Sequence, residues 1–182
     1  MKYFLSIDQG TTSSRCILFN NDGSVQSSHQ IELTQYFPDN NSVEHDPIEI
    51  IDSVNKCIQN VVNDIDVNEI VSIGITNQRE TTVAWSKSTG KPFYNAIVWQ
   101  DTRTQNICDE LLKNKRFTEL IKITGLPIST YFSLSKILWL IENVSEIKSS
   151  LEDDVCFGTI DSWIVYNLTG NFYTDVTNAS SL

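Results

Sequence analysis

The chain has 182 residues, 40% of them hydrophobic and 20% charged, the composition of a soluble globular protein with room for one sizeable core. Thirteen Lys and Arg against 23 Asp and Glu leave a net charge of −10. That balance argues against non-specific attraction to nucleic acid or to an anionic membrane surface.

An apolar run from Tyr3 climbs to Asp8, and a second runs from Cys16 to Phe19, so the chain opens as a β-hairpin. Its connection, Gln9-Gly10-Thr11-Thr12-Ser13-Ser14-Arg15, is longer and richer in hydroxyls than a minimal turn needs. Gly10 allows close backbone approach to a ligand or a positive φ. Four hydroxyls beside backbone N–H groups are the equipment for cradling phosphates, with Arg15 supplying charge and Asp8 able to hold a divalent metal, directly or through water. The same residues also suit a Ser/Thr-rich surface hairpin whose Asp begins a turn. A Walker loop is excluded, because no Gly-Lys-Ser/Thr follows Gly10.

Asn20-Asn21-Asp22-Gly23-Ser24 signals a turn, and Val25 to Leu33 reads as a polar third strand near a sheet edge. Asp46-Pro47-Ile48-Glu49 reads as a helix start with a cap, a first-turn proline and a capping box. Ile51, Val54, Ile58, Val61 and Ile65 follow at spacings of three and four, which predicts an amphipathic helix to about Asn63. His45, just before it, is read as structural. Ile70 to Thr76 is a nearly continuous apolar run, which predicts a strand buried on both faces. Strands are also expected over Val83–Trp85, Asn95–Trp99 and Val155–Ile160. Helices are expected over Thr102–Lys113 with Ile107, Leu111 and Leu112 inward, and over Phe117–Ile123. A further helix, Ser133–Asn143, has Leu134, Ile137, Leu138 and Ile141 on one face, and the last, Ser162–Leu168, is capped by Asp161. Three strands followed by strands alternating with helices give an α/β fold with a mixed sheet.

Polar residues after a buried strand sit where ligands bind in open α/β sheets, which singles out Arg79 and Glu80. A polyol offers only hydroxyls, so its site needs strong donors and acceptors, and an adjacent Arg-Glu pair provides both. Trp99 can wall a carbon chain, although an isolated strand Trp is usually core, and the loop residue Tyr131 can offer its hydroxyl. By local sequence alone, an exposed ion pair, a core indole and a surface phenol fit equally. Cys16, Cys57, Cys108 and Cys156 are scattered, without a CxxC pair or a His at ligand spacing, so they are expected as buried thiols of a reduced protein. The apolar run before Asp8 is too short for a signal-peptide core, and no stretch approaches the roughly 18–20 apolar residues of a membrane helix. A cytoplasmic protein is expected.

The run Asp8 to Arg15 resembles the first phosphate loop of the FGGY carbohydrate kinases, and Glu44-His45-Asp46-Pro47 fits the same pattern. Gly74 to Thr82, Tyr94 to Gln100, Thr124-Gly125-Leu126, Tyr131-Phe132-Ser133 and Phe157 to Asp161 are similar to the motifs of that family's glycerol-phosphorylating members. The resemblance implies an actin/Hsp70-like (ribonuclease H-like) ATPase domain. Its mixed sheet opens with an antiparallel three-stranded meander and carries helices on both faces. It also implies ATP-dependent phosphorylation of glycerol to sn-glycerol 3-phosphate, with ATP and Mg2+ as cofactors and a homo-oligomeric intact enzyme. By the same resemblance Arg79, Glu80 and Tyr131 hydrogen-bond glycerol and Trp99 packs on it. Thr11, Thr12, Ser13 and Arg15 match the residues at the nucleotide phosphates, and Asp8 matches a carboxylate near the metal.

In that family the general-base Asp, the adenine pocket and a second domain of the same fold come later in the chain. The resemblance therefore implies that residues 1–182 form an N-terminal domain, incomplete at its C-terminus, with the catalytic base beyond Leu182. Such a chain alone is expected to be inactive as a kinase. Two other readings remain open at this point: a stand-alone, non-catalytic actin-like binding or regulatory domain, and a kinase for a different polyol or sugar.

Overall fold

The computed structural model describes residues 1–180, apart from the side chain of Thr118. In chain order the elements are β1 (Tyr3–Gln9), β2 (Ser13–Asn20), β3 (Val25–Glu32), β4 (Glu44–His45), α1 (Pro47–Val61), β5 (Ile70–Asn77), β6 (Thr82–Ser86) and β7 (Ala96–Ile97). There follow α2 (Gln105–Leu112), α3 (Lys115–Thr124), α4 (Ser133–Asn143), α5 (Ser145–Ser150), β8 (Val155–Thr159), α6 (Ile160–Thr169) and α7 (Val176–Ala179). The chain divides into two compact units. The first comprises Met1–Gln35 and Asp46–Gln78, and the second comprises Tyr36–His45 and the chain from Arg79 onward. No helix among the described residues is long and apolar enough to cross a membrane.

The first unit is built on a sheet of order β3-β2-β1-β5, antiparallel across the opening meander and parallel between β1 and β5. Meander, helix and parallel strand follow in the order of the actin-like ATPase fold. Side chains alternate along β1, so Tyr3, Leu5, Ile7 and Gln9 are buried, and Cys16 and Leu18 of β2 lie opposite Ile7 and Leu5. The helix α1 covers β1, β2 and β3 with Ile50, Ile51, Val54, Cys57 and Val61 buried. Asp46 caps it through a bond from the Ile48 N–H at 2.8 Å. The expected capping box does not form, because the Glu49 carboxylate instead accepts from the Thr34 N–H and hydroxyl, both at 3.0 Å. The helix ends at Val61, two residues early, so Ile65 lies beyond it and Ile58 is only half-buried.

The prediction for β5 is overturned. It is an edge strand, with Val71 at 54% and Ile73 at 52% exposure, because α1 lies over the meander instead of over β5. An apolar run alone does not say which of its faces a neighbour will cover.

The second unit holds an antiparallel sheet of order β4-β7-β6-β8, in which all five residues of β6 are buried. The expected strand at Asn95–Trp99 shrinks to the two residues of β7. Ala84, Ile97, Leu140, Val144 and Ile147 form an apolar core, and Trp85 packs edge-on against Trp163 and Phe172. A buried ionic knot ties the β4 segment to this core. Arg103 lies 2.7 Å from Glu44 and 2.8 Å from Asp101, while Tyr94 and Asn95 each donate to Glu44 at 2.9 Å and Asp101 accepts from the Val43 N–H at 2.7 Å. Mutual charge and these hydrogen bonds offset the desolvation that burial imposes on the three ions.

The helices depart from expectation at their ends and faces. In α2, Cys108 is buried and Leu112 is half-exposed, and α3 starts two residues early on an Asn114 cap. Thr159, and not Asp161, occupies the N-cap of α6, while Asp161 sits in the first turn and accepts bonds from the Thr159 and Thr174 hydroxyls. On α4 the face expected to be apolar is only half-buried. The fully buried positions are Ser133, Ser135, Lys136 and Leu140. All four cysteines are buried free thiols.

Candidate functional site

In the first unit, β1 and β2 leave only Gly10, Thr11 and Thr12 between them, closed by a bond from the Gly10 N–H to the Ser13 carbonyl at 2.9 Å. Gly10 does not adopt positive φ. A Cβ there would meet the Ser13 carbonyl at 3.4 Å, an ordinary contact, so the turn itself would accommodate a side chain. The neighbouring chain braces the loop: Leu33 N–H donates to the Thr12 carbonyl at 2.9 Å, Gln35 Nε2 to the Thr11 carbonyl at 3.2 Å, and Gln30 Nε2 to Ser13 Oγ at 2.9 Å. Gln78 Nε2 reaches Gln9 at 3.1 Å and the Gly10 carbonyl at 3.3 Å. Thr12 and Arg15 are exposed, and Asp8, Thr11 and Ser13 are half-buried. Ser14 is turned to structure, accepting from Ser53 at 2.7 Å in the interior. Asp8 and Arg15 face each other across the hairpin at 3.3 Å. A tight, braced turn bearing three accessible hydroxyls and a guanidinium is chemically suited to a polyphosphate.

In the second unit the four remaining candidates converge. Glu80 is 4% exposed and has φ of 63°, the single positive-φ non-glycine among the described residues. A left-handed backbone costs such a residue about 1–2 kcal/mol, so its surroundings must hold it there. They do: the Glu80 carbonyl accepts from Ser133 Oγ at 3.0 Å and from Thr82 Oγ1 at 3.2 Å. Tyr131 sits against the carboxylate of Glu80. Burial first, then the Glu80 charge and a side-chain hydrogen bond with it, push the Tyr131 phenol above its ordinary pKa, against the opposing pull of Arg79. The Trp99 and Tyr131 rings meet edge-to-face, centroids 5.7 Å apart, and the Trp99 N–H donates to Thr81 Oγ1 at 3.2 Å. Arg79 is exposed beside them. A buried acceptor, a phenol, an exposed guanidinium and an indole wall together can bind hydroxyls along one side of a short carbon chain and cover the other.

Sequence reasoning did not find Ser133, Thr82 and Lys136. Ser133 and Thr82 grip the Glu80 backbone. Lys136 is fully buried and donates to the carbonyls of Thr130, of Tyr131 at 3.0 Å and of Phe132 at 3.4 Å. A lysine and a serine one helical turn apart beside apolar residues look like a solvated face. No local signal distinguishes that from a buried one.

Comparison with known proteins bears on the same residues. The model of the FGGY family of carbohydrate kinases, N-terminal domain, matches residues 3–182. The chain is 50% identical to a glycerol kinase of Borrelia garinii over 99% of its length, and 48% identical to one of Arabidopsis thaliana over 96%. It spans 37% and 36% of those two relatives. A crystal structure of Plasmodium falciparum glycerol kinase with ADP superposes on the whole chain with a TM-score of 0.89 at 40% identity, the chain covering 37% of it. A xylulose kinase of Lactobacillus acidophilus superposes with 0.86 at 26% identity, the chain covering 36% of it. The chain belongs to the FGGY family of carbohydrate kinases, whose N-terminal domain its residues 3–182 match.

Proposed function

We propose that this chain carries the polyol site and the first phosphate loop of an ATP-dependent glycerol kinase. The observation that bears most weight is the cluster of Glu80, Tyr131 and Trp99, in which a strained, buried carboxylate is held beside a phenol and an indole. The 50% identity to a glycerol kinase supports glycerol over a larger sugar. On this reading Glu80 accepts hydrogen bonds from substrate hydroxyls, Arg79 and Tyr131 donate to them, and Trp99 covers the carbon chain. The first loop, through Thr11, Thr12, Ser13 and Arg15, binds the phosphates of ATP.

Mg2+ needs few protein ligands, because it keeps waters and is completed by nucleotide phosphates. Asp8, a half-buried carboxylate on the strand that leads into the loop, fits that role through water. The ion would supply charge neutralisation at the transferring phosphate. Asp8 would orient a metal-bound water and release Arg15 to the phosphates. The proton of the attacking hydroxyl needs a base, which the reading places in polypeptide beyond these residues. Loss of such a base typically removes a factor of about 10²–10⁴ in rate, so residues 1–182 alone are expected to show negligible turnover.

The test is a coupled assay on the native polypeptide that contains this chain. Glycerol-dependent ADP release is expected, and Glu80→Gln should raise KM for glycerol by roughly 10- to 150-fold, the equivalent of one charged hydrogen bond. Turnover that prefers a pentulose over glycerol would overturn the substrate assignment. Absence of any polyol-dependent turnover would leave the binding-domain reading in possession.

A further inference from the structure

The Lys136 side chain is a fully buried charge of the second unit that the proposed chemistry does not use. It is fully enclosed, one turn into α4, and its donors all point at backbone: the carbonyls of Thr130, Tyr131 and Phe132. Three consecutive carbonyls converging on one cation fix the path of the segment that carries Tyr131, as a metal ion would. In the same helical turn Ser133, also fully buried, holds the Glu80 carbonyl. Two residues three apart on one helix therefore grip two of the three chain segments that supply polyol-facing groups, those of Glu80 and Tyr131. Burying a lysine is unfavourable unless its charge is solvated by protein dipoles. Here the three carbonyls supply those dipoles, and the ammonium in turn satisfies them.

We propose that the first turn of α4 is the device that presets the polyol site. Lys136 acts as a positioning residue that sets Tyr131, and Ser133 as one that locks Glu80 in its left-handed conformation. This rests on the reading of Arg79, Glu80, Trp99 and Tyr131 as a polyol site. Lys136 touches no substrate on this account. It acts through the carbonyl cage.

The cage also makes the site sensitive to alkali. Burial lowers the Lys136 pKa to about 8, opposed by the charges of Asp101, Cys108 and Glu80 and reinforced by Arg103, the titratable and charged groups that face it. An ammonium has three protons for three carbonyls, whereas the neutral amine has two. Deprotonation leaves one carbonyl without its donor and frees the Tyr131 segment.

The experiment uses the native polypeptide containing this chain. In the wild type, KM for glycerol is expected to rise several-fold between pH 7 and pH 9.5, with KM for ATP changing less than twofold. Lys136→Met should raise KM for glycerol at least 10-fold at pH 7, flatten that pH dependence and leave KM for ATP in place. A merely structural role would move both constants or neither. A glycerol KM flat with pH in the wild type, or within twofold of wild type in a folded Lys136→Met, would overturn the proposal. Hydrogen exchange at pH 7 decides it independently of the substrate reading. Amides 131–133 should exchange at least 10-fold faster in Lys136→Met while those of α1 stay unchanged, and equal rates would refute the cage. Should Lys136→Met not fold, Ser133→Ala takes its place. It should speed exchange around Glu80 and raise KM for glycerol, and no change in either overturns the device. Wild-type enzyme inert toward glycerol but protected at 131–133 in the manner described would sink the polyol reading and spare the positioning one.

Discussion

Replacing Gly158 with alanine tests the packing of the second unit at its tightest point. Gly158 lies on β8, and a Cβ there would stand 2.9 Å from Ser162 Cβ, 2.9 Å from Trp85 Cη2 and 3.1 Å from Trp85 Cζ3. None of these atoms can yield easily. Ser162 Cβ is rooted in the backbone of α6. The Trp85 ring, fully buried, is enclosed by Trp163, Tyr166 and Phe172 at centroid distances of 5.4, 5.5 and 5.3 Å. A methyl gained inside a core contributes about 0.8 kcal/mol, and replacing a strand glycine contributes about 0.5–1 kcal/mol. Forcing two rigid groups apart by half an ångström costs about 3 kcal/mol or more, the upper end of the range for overpacking. The net expectation is a loss of about 1–2 kcal/mol, or about 2–8 °C in Tm for a chain of this size. All four tryptophans (Trp85, Trp99, Trp139 and Trp163) belong to the second unit, so urea unfolding followed by indole fluorescence reads that unit directly. An unfolding midpoint in Gly158→Ala equal to or above wild type would refute the reasoning.

Arg103→Met should destabilise the second unit by about 3–5 kcal/mol, because it leaves the buried carboxylates of Asp101 and Glu44 without their shared cation. A loss below about 1 kcal/mol in the same urea assay would mean that the knot is not net stabilising in this sense. The thiols should resist a disulfide reagent at pH 8 in the native protein and all four should react in denaturant. Burial pushes Cys16 up to about 12 and raises Cys57 and Cys156 as well, so rapid native labelling of Cys16 would contradict its placement. Asp46→Ala should cost about 1 kcal/mol through loss of the α1 cap, seen as faster exchange of the first-turn amides, while Asp46→Asn should retain most of it. Equal exchange in Asp46→Ala and wild type would deny the cap any weight.

The opening meander, the start of α1 at Asp46-Pro47 and the full span of α4 were legible in the chain, because each depends on local chemistry: alternation, turn residues, a cap and a first-turn proline. Arg79, Glu80, Trp99 and Tyr131 could be named from the chain as candidates, although local sequence fitted an ion pair, a core indole and a surface phenol as well. What local pattern could not supply was environment. The apolar run of β5 proved to be a half-open edge, because exposure depends on where α1 lies and not on the strand's own residues. Glu49 was drawn from its expected capping box to Thr34, fifteen residues away in the chain. Above all, α4 buries Ser133 and Lys136 more deeply than Leu134 or Ile137. The carbonyls that make a buried ammonium tolerable come together only when the 130–132 segment meets the helix, and the left-handed Glu80 is held by Thr82 and by Ser133, fifty-three residues away in the chain. Chemical identity is carried residue by residue along the chain, whereas burial, strain and charge compensation are properties of neighbours that only folding brings together.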